Sequence, residues 1–219
     1  KNLTTPCSNR WMIGTVNSFF VGTISTLVAT ALGTLAALGL SRPHMPYKGL
    51  IMSILISPMI VPLIITAAGM FFFYAKINLV YTFTGIILAH VALSTPFVVI
   101  TVTATLVGFD TNMTKASQSL GARPITTFFK VIMPLILPGV ISGALFAFIT
   151  SFDEVVIVMF MASLDQLTIP KQMWAGIRQE ISPVILCMAT CLVALSIFLL
   201  TTVELLRRRS EKMRGITAR

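Results

Sequence analysis

Charged residues are scarce in this sequence. Of its 219 residues, 11% are Asp, Glu, Lys or Arg and 56% are hydrophobic, whereas soluble domains carry about 25% charged residues. This shortage excludes a soluble globular protein, because too few charged side chains are available to cover a surface that faces water. The net charge is +9, but the Lys and Arg residues lie between apolar runs and are better explained as topology signals. We therefore expect a chain surrounded by membrane lipid, without a nucleic-acid partner.

Residues that commonly form catalytic or metal sites are also few. The three cysteines, Cys7, Cys187 and Cys191, have neither the number nor the spacing of a disulfide framework or a zinc site. His90 is more consistent with a hydrogen-bonded packing residue than with a proton relay or a metal ligand. The sequence also lacks the Gly-x-x-x-x-Gly-Lys-Ser/Thr motif that cradles ATP phosphates. We therefore expect no catalytic residue, no metal ligand and no cofactor bound by this chain.

Five apolar stretches are long enough to cross a bilayer. A helix needs about 20 apolar residues to span a hydrocarbon core about 30 Å thick. The sequence thus predicts an all-α, polytopic transmembrane bundle, a single domain over 1–219, with spans at 11–41, 49–75, 79–108, 135–161 and 184–203. Small residues along the first span predict close packing against neighbouring helices; they are Gly14, Gly22, Ser25, Ala29, Gly33, Ala36 and Ala37.

Lys and Arg are distributed unequally between the two ends of these spans. Eleven lie in the loops 42–48 and 109–134 or in the tail after residue 203, and five lie at the opposite ends. Positive residues are retained on the cytoplasmic side, so we expect the 109–134 loop and the C-terminus in the cytoplasm and Lys1 outside. An outside Lys1 predicts a further span upstream. The basic run 207–209 is most simply a stop signal just inside the membrane, where anionic lipid can bind it.

The cytoplasmic loop 109–134 has the signals of two short helices. Asp110 can cap a helix over 111–120, Gly121 suits a left-handed helix end, and Pro124 suits the first turn of the next helix. One stripe of apolar and small residues recurs at helical spacing: Met113, Ala116, Ser117 and Leu120. A stripe of this kind on a polar loop predicts a protein partner.

Two adjacent carboxylates, Asp153 and Glu154, interrupt the fourth span. A central Asp costs on the order of 2.5–3.5 kcal/mol in a membrane helix, so these residues predict a polar pathway and favour a cationic substrate. We place Phe152, Asp153 and Glu154 at the substrate path and prefer Asp153 for the path itself and Glu154 for a helix contact. Phe152, Trp174 and Tyr81 are candidate aromatic faces for ammonium groups. An interhelical hydrogen bond or an ion pair with a partner subunit is the alternative for the carboxylates. Ordinary lipid-facing packing is the alternative for the aromatic residues.

Several motifs resemble those of ABC importer permeases. The segments 115–117, 120–122, Val131 and 133–134 have the spacing of that family's cytoplasmic loop motif, although Lys115 and Ser117 replace its usual Glu and Ala. The segments 96–102, 108–110 and 151–156 are similar to C-type permease subunits of spermidine/putrescine importers. The resemblance implies the type I permease fold with one further N-terminal span.

The resemblance also implies partners and roles. It implies a second permease subunit, an ATPase dimer that binds ATP and Mg²⁺, and an extracytoplasmic solute-binding protein received by the loop 162–183. It places the chain in the bacterial inner membrane and assigns the 111–121 helix to coupling with the ATPase. The residues so assigned are Met113, Lys115, Ala116, Ser117, Leu120, Gly121, Ala122 and Arg123.

Two other classes of function compete with this interpretation. An ion-coupled secondary transporter would use Asp153 and Glu154 to bind a proton or sodium, but it predicts inverted repeats that the five spans do not display. A membrane scaffold without transport would leave the intramembrane carboxylates unexplained.

Overall fold

The computed structural model describes residues 9–42, 45–107, 111–179 and 183–213. Throughout these residues the regular structure is helical. A π-helical turn at Phe128–Ile132 joins α6 to α7, and a 3-10 turn at Leu164–Gln166 precedes α9. The helices are α1 (Asn9–Leu40), α2 (Lys48–Ile60), α3 (Leu63–Lys76), α4 (Phe83–Val107), α5 (Thr111–Ser119), α6 (Pro124–Thr127), α7 (Met133–Phe152), α8 (Val156–Met161), α9 (Ile169–Gln179) and α10 (Pro183–Met213).

The long apolar helices α1, α4 and α7 pack against one another and form the core. Their backbones approach closely where the sequence supplies small residues. A Cβ atom on Gly33 would lie 2.6 Å from Cβ of Val98, and one on Gly143 would lie 2.5 Å from Oγ1 of Thr101. Ala29 and Ala37 are fully buried in the same core. The prediction that small residues of the first span support close helix packing is confirmed.

The predicted second span, 49–75, is not one continuous helix. Helices α2 and α3 meet at a bend of 105°, because Pro62 has no N–H to continue the ladder after Val61, whose N–H donates to the Ser57 carbonyl at 3.1 Å. By length and hydropathy, three described helices are able to cross a membrane, and the bent pair makes up to four. The described apolar part of the predicted fifth span, Ile185–Phe198, is shorter than a full span. The all-α polytopic bundle is confirmed, and the number of spans is approximate.

The predicted fourth span, 135–161, is also interrupted. Helix α7 ends at Phe152, where the backbone N–H of Asp153 donates to the Ile149 carbonyl at 3.0 Å. After a short break the chain enters α8, and Oε1 of Glu154 accepts a hydrogen bond from the N–H of Ile157 at 2.9 Å. The expectation of two carboxylates inside a continuous helix is therefore wrong. They lie at a helix break, where backbone groups need side-chain partners.

The connection between α8 and α9 is anchored to α1 by buried polar side chains. Nδ2 of Asn17 donates to the carbonyls of Asp165 and Leu167, each at 3.0 Å. Oγ of Ser18 accepts a hydrogen bond from the N–H of Ile169 at 2.8 Å, at the first residue of α9. These contacts satisfy backbone groups of an irregular segment and hold α9 against the core.

Candidate coupling loop and transport pathway

Helices α5 and α6, with the turn between them, form a helical hairpin. Gly121 has a φ of 79°, in the left-handed region, and its N–H donates to the Gln118 carbonyl at 2.9 Å. Pro124 occupies the first turn of α6. The predicted pair of short helices, the Gly121 turn and the Pro124 start are confirmed, whereas the predicted Asp110 cap lies outside the described residues.

The tip of the hairpin exposes large apolar side chains. Leu120 is 88% exposed, Ile125 is 73% exposed and Met113 is 49% exposed. Of the other predicted coupling residues, Lys115, Ala116, Gly121 and Arg123 are exposed and Ala122 is half-buried.

Ser117 differs from its neighbours on the predicted stripe. It is half-buried, and its hydroxyl oxygen lies 2.9 Å from that of Thr127 on α6. Thr127 is itself buried. The side chain of Ser117 therefore ties α5 to α6 inside the hairpin and does not contribute to the exposed stripe.

The hairpin is directly continuous with α7. In the π-helical turn, the N–H of Met133 donates to the carbonyl of Phe128. The helical stretch Pro124–Phe152 is long and apolar enough to cross a membrane as one unit. No loop separates the hairpin from α7, so a displacement of the hairpin can be transmitted to the opposite end of α7.

The far end of α7 borders a cavity of about 110 Å³ between α7, α9 and α10. Two of the three predicted pathway residues, Phe152 and Asp153, line it, and Glu154 does not. The side chain of Asp153 is exposed, whereas Glu154 is 7% exposed and its carboxylate caps α8. The lining residues are Phe148, Ile149, Phe152, Asp153, Pro170, Leu192, Leu195 and Ser196.

Aromatic rings cluster beside this cavity. The rings of Phe148 and Phe152 are stacked with centroids 5.4 Å apart, and Phe19 meets Phe152 edge-on at 5.1 Å. The sequence analysis did not select Phe148 or Phe19 as candidate aromatic residues. Phe148 lies on α7 and Phe19 on α1, and only the fold shows that both contact Phe152. Tyr81 and Trp174 are exposed and do not line the cavity.

His90 is a buried packing residue. It is 1% exposed, and its Nδ1 lies 2.8 Å from Oγ of Ser151. This contact joins α4 to α7 one residue before α7 ends. The interpretation of His90 as a hydrogen-bonded packing residue is confirmed.

Lys171 anchors helix α9 to α8. Its Nζ donates to the carbonyls of Val158 at 3.2 Å and Ala162 at 3.1 Å, at the C-terminal end of α8. Burial lowers the pKa of the Lys171 ammonium from its ordinary value.

Comparison with known proteins identifies relatives across most of the chain. Residues 29–212 match the family described as binding-protein-dependent transport system inner membrane component. The chain is 31% identical over 175 residues to the spermidine/putrescine transport system permease protein PotC of Haemophilus influenzae, covering 80% of this chain and 68% of that protein. It is 35% identical over 103 residues to the putrescine transport system permease protein PotI of Escherichia coli strain K12, covering 47% of this chain and 37% of that protein.

Solved structures establish the fold independently of close sequence similarity. The chain aligns with an inward-facing MetNI methionine ABC transporter at a TM-score of 0.68 and 19% identity, covering 98% of this chain and 100% of that one. The shared architecture is the helical bundle of type I ABC importer permeases. With the family match over most of its length, this chain belongs to the binding-protein-dependent transport system inner membrane component family, the permeases of ABC importers.

Proposed function

We propose that this chain is the permease subunit through which polyamines or another small cationic solute cross the bacterial inner membrane. The names of the PotC and PotI relatives support polyamines. None of the five apolar stretches contains Lys or Arg, and the carboxylate of Asp153 lines the cavity. This charge distribution favours a cation over an anion.

The proposed assembly contains a second permease subunit, an ATPase dimer and an extracytoplasmic solute-binding protein. ATP and Mg²⁺ bind to the ATPase, and this chain supplies no catalytic residue. The helical hairpin and the C-terminus face the cytoplasm, as the Lys and Arg counts predict. The loop 162–183 faces outside and receives the binding protein.

The exposed apolar tip of the hairpin is the observation that carries this proposal. Leu120 is 88% exposed and Ile125 is 73% exposed, both on this hairpin. Burying a Leu side chain contributes roughly 1.5–3 kcal/mol, so a cleft of the ATPase that encloses Leu120 and Met113 gains substantial affinity. Closure of the ATPase moves the hairpin, and α7 transmits this movement to the cavity at its far end.

Replacing Leu120 with Glu tests the docking of the hairpin. The change places a charge on an exposed side chain, so the fold is retained while docking in an apolar cleft is disfavoured. We expect the ATPase to be lost on co-purification, or ATP-dependent uptake in proteoliposomes to fall by about tenfold or more.

The matched control is Gln118→Glu, which adds the same charge at an exposed position of α5 outside the apolar stripe. It should leave uptake and co-purification close to those of the unaltered protein. Normal ATPase binding and normal uptake by the Leu120→Glu importer would contradict the docking assignment.

Dependence on ATP tests the energy source. Uptake by proteoliposomes that contain the complete importer should require hydrolysable ATP and persist when ion gradients are collapsed. Uptake without the ATPase that disappears with the ion gradient would instead support the ion-coupled secondary transporter. Family membership favours the ATP-driven importer.

A further inference from the structure

The cavity at the end of α7 places a carboxylate beside stacked aromatic rings. Asp153, Phe148 and Phe152 come from α7 and its terminus, and Ser196 comes from α10. We propose that this cavity is a binding site for one ammonium group of the transported cation. The inference rests on the proposed function, and it identifies the chemical group that is recognised and the residues that recognise it.

Asp153 supplies the charge for such a site. Its side chain is exposed to the cavity, and among the described residues no cationic side chain pairs with it. The neighbouring carboxylate of Glu154 is already engaged by the N–H of Ile157. A carboxylate without a counter-charge beside apolar walls is unfavourable, and an ammonium ligand both neutralises it and donates charge-assisted hydrogen bonds.

The aromatic rings supply a second source of attraction. Phe148 and Phe152 are stacked, with an interplanar angle of 25°, and both line the same cavity as Asp153. A cation within about 6 Å of a ring centroid is attracted by the ring's quadrupole. Ser196, which carries a hydroxyl, lines the same cavity from α10. An ammonium group therefore meets the carboxylate, a ring and a hydroxyl.

The size of the cavity limits what it holds. Its volume of about 110 Å³ compares with about 30 Å³ for one water molecule in the liquid and with about 300–1,000 Å³ for sites that enclose whole drug-sized ligands. The cavity is therefore large enough for an ammonium group with several methylenes and too small for a drug-sized ligand.

Substitution of Asp153 in the complete importer tests the charge. The assay is uptake of radiolabelled spermidine and putrescine by proteoliposomes that contain both permeases, the ATPase and the loaded binding protein. Asp153→Asn should reduce uptake by about tenfold or more, since a bond to a charged group is worth one to two powers of ten in affinity. Asp153→Glu, which keeps the charge, should recover most of this loss. Co-purification of the second permease and the ATPase with both variants checks that the importer assembles.

Substitution of Phe148 tests the ring. Phe148→Leu keeps an apolar side chain but removes the π face, and it should raise the KM for both substrates about threefold to tenfold. The matched control is Phe146→Leu on the same helix, because Phe146 stacks with Phe97 and does not line the cavity. Its KM should equal that of the unaltered importer.

The outcomes separate the site from the proposed function. Uptake by Asp153→Asn equal to that of the unaltered importer, or equal KM values for the two Leu variants, overturns the ammonium site and leaves the importer function standing. Failure of the unaltered importer to take up either polyamine overturns the proposed substrate. If Asp153→Asn does not assemble, the comparison of Phe148→Leu with Phe146→Leu decides, and equal KM values for these two variants overturn the site.

Discussion

The adjacent carboxylates Asp153 and Glu154 have different surroundings. Asp153 is exposed to the cavity, whereas Glu154 is buried and accepts the N–H of Ile157. Adjacent residues at a helix break point in different directions, so one carboxylate is available to a ligand and the other supports the backbone. The assignment of Asp153 to the pathway stays a prediction. For Glu154, the structure identifies the predicted structural contact as the hydrogen bond from Ile157.

Removing the carboxylate of Glu154 should destabilise the protein. Glu154→Ala leaves the buried N–H of Ile157 without its acceptor, which costs roughly 1–3 kcal/mol. Glu154→Gln retains an oxygen at the same position and serves as the control. Thermal unfolding of the detergent-solubilised protein measures the effect, and equal midpoints for the Ala and Gln variants would refute the capping role.

Residues that act within their own turn were predictable from the sequence. Gly121 and Pro124 were placed correctly because a left-handed helix end and a first helical turn are local requirements. The inward position of Ser117 was not predictable, since it depends on Thr127 ten residues away. The cap by Glu154 was missed because the helix break at Asp153 interrupts an apolar run that continues on both sides.

Close contact between α1 and α4 depends on a glycine. At Gly33 an added Cβ would lie 2.6 Å from that of Val98, whereas at Gly39, on the same helix, nothing lies within 4 Å. Gly33→Leu should therefore force the helices apart and cost about 1–3 kcal/mol or more. Gly39→Leu should be tolerated. The yield of monodisperse protein and its thermal midpoint test this, and equal behaviour of the two variants would contradict the packing described.

Prolines show why helix breaks were difficult to predict. Pro58 lies inside α2, Pro96 inside α4 and Pro138 inside α7, whereas Pro62 stands at the 105° bend. In a membrane, neighbouring helices and side chains can satisfy the groups that a proline frees, so the residue type alone does not decide between a break and a continuous helix. The length of the apolar run 49–75 therefore predicted its membrane location but not its shape.

Orientation is a property of the whole molecule, and labelling tests it. In a variant without Cys7, Cys187 and Cys191, we expect a cysteine at Ser119 to react with an impermeant maleimide only from the cytoplasmic side. A cysteine at Ala75, at the end of α3, should react only from outside. Both positions are exposed. The reverse pattern would overturn the topology predicted from the Lys and Arg counts.

Most of the molecule-level architecture followed from hydropathy, because the bilayer allows few alternatives to a helical bundle. The cavity was different. Its walls come from α7, α9 and α10, which are separated in the sequence, and no local pattern indicates that Asp153 and Ser196 line one cavity. A site of this kind depends on how several helices are arranged relative to one another. Sequence patterns predict individual helices but not that arrangement.

The uninterrupted helix α7 has a mechanical consequence. Its 20 residues make a rod about 30 Å long at 1.5 Å per residue, with the hairpin at one end and Asp153 at the other. Pivoting such a rod by about 5° sweeps its distal end sideways by about 2.6 Å, close to the diameter of a water molecule. In the proposed coupling, a slight rotation of this rod is enough to change the width of the cavity, with no melting of secondary structure.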